Sequence, residues 1–540
     1  MATKETSSKA SKKKTGVATK RSGAPTSRKT GTRKSMPAKS VAKATAKTAV
    51  KAVQPGRGET SGALRVRMYR VGFGDFFLLT VPTKTGPQHI LIDCGVHAGD
   101  IKSIDDCVQD LAKETKRKLA LVVATHYHAD HLSGFASNFD EFAKFEVDAV
   151  WITNRLDPKH GKAAKFKAQI NSVANQLQLR LSAREDEAGQ QALHKVQNAT
   201  GAQLGANEGG NEKALRLLTT GFKNKPPVFY YQGGDEPQLP DSLKGTIIAE
   251  ILAPAPIDRE GEFASSDNKK EQYLSVAAEE GLPSSDPLTP FEKDWPATAS
   301  DYPPEAFAGY TTQEQLEKYP PESSAGYHTQ EQLEKYRPGS SAVLEKVIQD
   351  AQPDVLLAVA DAVDGTLNNQ SLVILFTCQG KKLLFVGDAQ WGNWSYWLYG
   401  KKVTGAAPEI LQTAKSILGS IDFYKVGHHG STNANPIPAV AALNPNCVSM
   451  CSTESGDKKS NYPVKKRPYG NEDKQTEVPR IKLMEEMEKQ TKGRLVRSDW
   501  IKVKTVDRTT DATTEAKGQL AKLPANFSQG DLYVDYVFPK

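Results

Sequence analysis

Long apolar runs are missing from this 540-residue chain. None approaches the roughly 18 to 20 residues that cross a bilayer, and the N-terminus lacks the apolar segment of a secretion signal. The expectation is a soluble protein with nothing addressing it to a membrane. Cysteine is scarce too: five residues, Cys94, Cys107, Cys378, Cys447 and Cys451, an odd number with no CxxC pair. That argues against a disulfide scaffold and a thiolate metal knuckle, and most of the five lie within or beside apolar segments. They read as reduced core thiols of a cytoplasmic protein. Aromatic residues are absent from positions 1–60, which also hold almost no large aliphatic side chain. Such a segment cannot bury enough apolar surface to offset its ordering entropy, so it is expected to be a disordered tail.

Acidic residues are nearly absent from that tail as well. Of the 71 Lys and Arg, sixteen fall in residues 1–57 against Glu5 as the one acid, leaving 55 basic and 62 acidic residues in the body. The net charge of +8 therefore comes from the tail, and the body is net acidic. The tail resembles the Lys/Ala-rich tails of linker-histone-like proteins, as in Pro37-Ala38-Lys39-Ser40-Val41-Ala42-Lys43-Ala44-Thr45-Ala46-Lys47. Lys12, Lys13, Lys14, Lys39, Lys43 and Lys47 are candidate contacts for nucleic-acid phosphates; the plainer reading is a solubilising tail. Lys dominates over Arg and amphipathic patterning is missing, which disfavours a transit peptide.

What the body does have is a dense polar motif. The apolar run Leu119-Ala120-Leu121-Val122-Val123-Ala124 ends abruptly in Thr125-His126-Tyr127-His128-Ala129-Asp130-His131. The run reads as a buried strand delivering the motif to a cleft. With only 10 histidines in the chain, three within six positions are poorly explained by chance, and burying them as filler would leave imidazole nitrogens without partners. A divalent metal supplies a partner. His126 and His128, two apart on extended chain, project to one side and can share an ion; Asp130 and His131, past the bend, can turn towards a second.

This motif resembles the HxHxDH signature of the metallo-β-lactamase superfamily. Further segments match in order: Val71-Gly72-Phe73-Gly74-Asp75, Ile90-Leu91-Ile92-Asp93-Cys94-Gly95, Asn368-Asn369-Gln370-Ser371-Leu372-Val373, Leu384-Phe385-Val386-Gly387-Asp388 and Lys425-Val426-Gly427-His428-His429-Gly430-Ser431. The last three are similar to the branch containing the soluble domain of ComEC-type DNA-uptake proteins. The resemblance covers about residues 62–255 and 355–455 and implies an α/β fold, an αββα sandwich with two divalent ions at one edge, zinc first with manganese or iron as alternatives. It implies that His126, His128 and a third residue hold one ion, that Asp130, His131 and His428 hold the other, and that Asp388 bridges. Asp130 also falls in the catalytic set, with His429 contacting substrate or hydrogen-bonding nearby. The third ligand is open between His160 and His194, with His160 taken first because it follows the strand 149–153 closely. As plainer readings, His160 and His194 are surface histidines and Asp388 caps a following helix. Asp93 is expected to orient a ligand from behind rather than coordinate.

The folded hydrolase domain is expected over 61–540. Residues 64–71 alternate as a half-exposed strand, 103–117 read as a helix, 145–153 as a strand, 158–182 as a helix, 245–252 as a strand and 481–490 as a helix, with closing strands at 500–503 and 532–538. Residues 256–350 form a polar, proline-rich insertion in which Thr312-Gln313-Glu314-Gln315-Leu316-Glu317-Lys318-Tyr319 recurs at 329–336. Two polar copies are too few for a solenoid, so the insertion is expected to be flexible, either a lid or a linker. Two ions would lower the pKa of a shared water and stabilise a phosphodiester undergoing displacement. The expected activity is phosphodiester hydrolysis; carboxyl ester, lactone or thioester hydrolysis needs the same ligands, and a non-enzymatic nucleic-acid binder is the third alternative.

Overall fold

The computed structural model describes residues 62–97, 101–182, 184, 186–201, 209–263, 353–403, 406–454, 478–499 and 523–539. The basic tail with its six lysines, the repeated insertion segment and the expected strand at 500–503 lie outside the described residues.

Short apolar segments cut by glycine and polar turns build two principal sheets. The first contains β1 (Arg65–Tyr69), β2 (Phe76–Thr83) and β3 (Gly86–Cys94), which run antiparallel. Next in sequence is a two-stranded ribbon of β4 (Lys118–Leu119) and β6 (Glu146–Val147), flanking β5 (Leu121–Ala124), which joins the first sheet together with β7 (Val150–Thr153) and β8 (Val228–Tyr231). These three lie parallel beside β3. The second sheet holds β9 (Ile247–Ala253), β10 (Val373–Cys378), β11 (Lys381–Phe385), β12 (Phe423–Lys425), β13 (Val448–Cys451) and β14 (Leu495–Arg497). Finally β15 (Phe527–Gln529) and β16 (Tyr533–Val537) return to the edge of the first sheet beside β1, making eight strands.

Successive side chains on each strand go to different cores, as the period of two demands. Phe77, Ile92, Val123 and Trp151 of the first sheet share one apolar core with Ile251, Ile374, Phe385 and Phe423 of the second. Their neighbours Leu78, Leu91, Val122 and Ile152 pack instead with helix residues of α1 (Ile104–Thr115), α2 (Ala129–Ser137), α4 (Gly161–Leu181), α5 (Glu187–Thr200) and α7 (Pro353–Asn368). Between α2 and α7 in sequence also lie α3 (Phe139–Phe142) and α6 (Gly210–Arg216). Leu375, Leu384 and Val386 face a third core with Trp394, Leu398, Leu483 and Met487. Each fully buried side chain of this size contributes about 1.5–3 kcal/mol, so both faces of both sheets are strongly specified. All five cysteines are buried and unpaired, and no helix among the described residues is long and apolar enough to cross a membrane.

Two local expectations change. The stretch 145–153 is two strands: β6 pairs with β4, and the chain turns at Asp148 before β7 enters the main sheet. The alternating strand β1 is not half-exposed, because Arg67 is itself buried. Its guanidinium donates to Asp535 at 2.8 and 2.9 Å and to Asp110 at 2.8 Å, and lies over the Tyr533 ring. A charge can be taken out of water when its donors are saturated in this way. Truncating Arg67→Ala leaves the buried Asp535 with only Arg65, at 3.4 Å, as a cationic partner, and we expect urea denaturation to show a loss of about 3–5 kcal/mol; a loss below about 1 kcal/mol would show the pair to be energetically idle.

Candidate metal centre

Three strand ends meet here. β5 stops at Ala124, and Thr125 to His128 lead into α2, whose first turn carries Asp130 and His131. β11 stops at Phe385 and delivers Asp388 through Val386 and Gly387. Gly387 is required by geometry: its φ is +52°, and a Cβ there would lie 2.9 Å from Thr125 Oγ1. β12 ends at Lys425, followed by Val426, Gly427 and the His428-His429 pair, whose φ values of 43° and 52° are both left-handed. Consecutive non-glycine residues in that region store strain of the sort concentrated at functional sites.

The hydrogen bonds behind the histidines assign their protons. Asp93 Oδ1 accepts from Thr125 N at 2.8 Å, and Asp93 Oδ2 accepts from Thr125 Oγ1 and from His131 Nδ1, each at 2.7 Å. The Thr125 hydroxyl has given its proton to Asp93, so at 3.1 Å it accepts from His126 Nδ1. His429 Nδ1 donates to the Ser452 carbonyl at 2.9 Å. With their Nδ1 atoms occupied, His126, His131 and His429 each present Nε2 forward. His126 Nε2 lies 3.0 Å from His128 Nδ1. His131 Nε2 and Asp388 Oδ2 face each other at 3.1 Å without hydrogen-bond geometry, and Asp130 Oδ1 is likewise buried without a partner.

Two donor sets result, each with its ligand atoms within 4.8 Å of one another: Asp130, His131, Asp388 and His429, and His126, His128 and Asp130. A third set, Asp75, Asp93 and His131, lies on the Nδ1 side of His131. Imidazole and carboxylate donors in these combinations fit divalent zinc, manganese or iron. His428 and His160 stand outside all three sets. His428 Nε2 is 3.9 Å from Asp388 Oδ2, and His160 is the residue preceding α4. His194 packs against His97, with ring centroids 3.9 Å apart.

Residues that the sequence did not single out complete the site. Lys425 is buried against Asp75, and its Nζ donates to Gly387 O at 2.7 Å and contacts Asp388 Oδ1 at 3.3 Å. His428 N–H also donates to Asp388 Oδ1, at 3.1 Å, so that oxygen is engaged and Oδ2 is the one presented to the histidines. Asp364 of α7 lies 3.6 Å from His128 Nε2, and Asn368 donates to its other oxygen at 3.1 Å. Lys425, ending an apolar run just before the His428-His429 pair, was the signal available in the sequence; Asp364 sits in an apolar helix with no local cue.

Electrostatics follow from burial and carboxylate density. Burial opposes charge on His131 and on His429, yet the surrounding carboxylates, Asp388 first, hold both pKa values above the ordinary imidazole range. Burial, reinforced by neighbouring imidazoles, pushes His126 well down, and burial also lowers His128. Burial opposes ionisation of Asp130 and Asp388, but His131 above all keeps both below the usual carboxylate range. Burial raises Asp364 to about 6.

Replacing Asp93→Asn removes the negative charge and turns one of the two acceptor oxygens that hold Thr125 and His131 into an amide donor. We expect affinity for Mn²⁺ or Zn²⁺, measured by calorimetric titration, to fall about 10- to 100-fold with little change in fold; an unchanged binding isotherm would exclude this orienting role. No protein-family model matches the chain, and no curated protein matches its sequence.

Proposed function

We propose that the chain is a metallo-β-lactamase-fold hydrolase, an αββα sandwich that holds two divalent ions and cleaves phosphodiester bonds. The observation that carries the reading is the common aim of the histidines: acceptors behind His126, His131 and His429 take the Nδ1 protons and turn the Nε2 atoms towards Asp130 and Asp388. On this reading His126, His128 and Asp130 would hold the first ion and Asp130, His131, Asp388 and His429 the second, so that Asp130, rather than the Asp388 that the resemblance implies, is common to both sets. His429 thus takes the ligand place that the resemblance gave to His428, and His428 faces substrate.

Bound there, two ions supply an acidified water and positive charge for the displacement at phosphorus. Lys425 and the His428 amide fix Asp388, so one oxygen stays aimed at the ion positions through turnover. Asp93 keeps the ring of His131 from rotating. His428, reaching the cleft from a strained turn, is placed to donate to a substrate oxygen. The buried thiols suit a reducing cytoplasm, and the sixteen basic residues of positions 1–57 supply attraction for nucleic acid that the acidic body lacks.

Two outcomes test this. Asp388→Asn replaces an anionic donor oxygen by a neutral amide, and hydrolysis of bis-p-nitrophenyl phosphate with added Mn²⁺ or Zn²⁺ should fall at least about 100-fold. Wild-type turnover of a lactone panel with none of the phosphodiester would refute the substrate class. Deleting residues 1–57 should leave that small-substrate turnover intact, weaken binding to long DNA and flatten its salt dependence. Identical DNA binding by full-length and truncated protein at every salt concentration would make the tail a solubility device.

A further inference from the structure

The three forward-facing Nε2 histidines each have an acceptor at or just past a strand end behind them. His128 does not. It is turned the other way, with Nδ1 3.0 Å from His126 Nε2, so its Nε2 is the outer nitrogen. That atom is buried, lacks a hydrogen-bond partner at normal distance, and lies 3.6 Å from Asp364 Oδ1.

Asp364 cannot be a third ligand to the ion that His128 Nδ1 would hold. The two nitrogens of one imidazole point in diverging directions, so a group facing Nε2 sits behind the ring as seen from Nδ1. It is instead placed as Asp93 is placed behind His131. Asn368, one turn along α7, donates its amide to Asp364 Oδ2 at 3.1 Å and leaves Oδ1 directed at the imidazole. The Asn368 side chain is fully buried. α7 is held against α5, where Lys195 Nζ contacts Asp361 Oδ1 at 2.5 Å.

We propose that Asp364, oriented by Asn368, is the positioning residue for His128, a carboxylate–histidine pair that fixes which nitrogen of the ring faces the first ion. This rests on the metal reading of the site. It makes the two ion positions unequal in origin. Asp93, on a sheet strand, orients the ligand of one ion, whereas the orienter of the other rides on a helix that follows the 264–352 stretch. Closing 3.6 Å to a normal hydrogen bond needs a shift well under 1 Å. Outer partners of metal-bound histidines change affinity by about 10- to 100-fold when removed.

The test is a stepwise titration of chelator-stripped full-length protein with Mn²⁺ and, separately, Zn²⁺, read by calorimetry, with Co²⁺ absorption as a report on coordination. Wild type should take two ions. Asp364→Ala should bind one of them with unchanged affinity and the other about 10- to 100-fold more weakly, with an altered Co²⁺ spectrum for that step. Asn368→Ala should show a smaller loss in the same step. Asp361→Ala, which breaks the link to Lys195 without touching the ring, should leave both steps as in wild type. Two unchanged steps in Asp364→Ala overturn the proposal, as does an equal loss in Asp361→Ala, which would trace the effect to helix docking. Wild type that takes up no ion refutes the metal reading itself, a result distinct from either.

Discussion

Burying several carboxylates at one point is the constraint on which this structure turns. Asp75, Asp93, Asp130 and Asp388 are all at most 4% exposed and gather where three strand ends converge, with Lys425 as the one buried lysine among them. Isolated buried anions are prohibitively costly, so each must be paired, protonated or bound to a cation. Backbone and side-chain donors satisfy Asp93; Lys425 serves Asp75 and one oxygen of Asp388. The remaining charge falls on Asp130 and Asp388 Oδ2, and imidazoles are what face them. Protonated imidazoles can offset that charge: the surrounding carboxylates, Asp388 first, hold His131 and His429 up against burial, whereas burial, with neighbouring imidazoles, pushes His126 and His128 down. Cations would do the same work with higher charge.

The sheets exist in the form that makes this possible. Strands buried on both faces can run to the edge of the structure and stop, leaving loops to present polar side chains that no core position would tolerate. β5 belongs to one sheet, β11 and β12 to the other, and the core shared between them brings the three exits together. The Leu372 amide donates to Thr125 O at 3.0 Å, and Gly387 packs against the Thr125 side chain, which ties the two sheets at the level of the ligands.

Much of this was legible from residues alone. Three histidines and an aspartate after an apolar run point to a buried polar cluster because each imidazole needs a partner, and the polar residues after 385 and 425 mark the other two strand exits. Where the reading went astray, the missing information was three-dimensional. The His428-His429 dipeptide offers two equivalent imidazoles by spacing, and only the pair of left-handed φ angles decides that His429 meets Asp130, at 3.1 Å. Arg67 looked solvent-facing because alternation reports side, not burial; its partner Asp535 is far along the chain. Asp364 could not be found at all, since a lone acid in an apolar helix on the far side of a long insertion carries no local pattern. His160 was favoured for closeness in sequence, and closeness in sequence does not bring it into the donor sets.

The central claim is that the two donor sets, which share Asp130, hold two ions. Anomalous diffraction from crystals grown with Mn²⁺ or Zn²⁺ tests it most directly. The account predicts two peaks, one against His126 and His128 and one against His131, Asp388 and His429, with Asp130 beside both. Crystals whose anomalous maps show no peak within the cluster, at saturating metal, would contradict it.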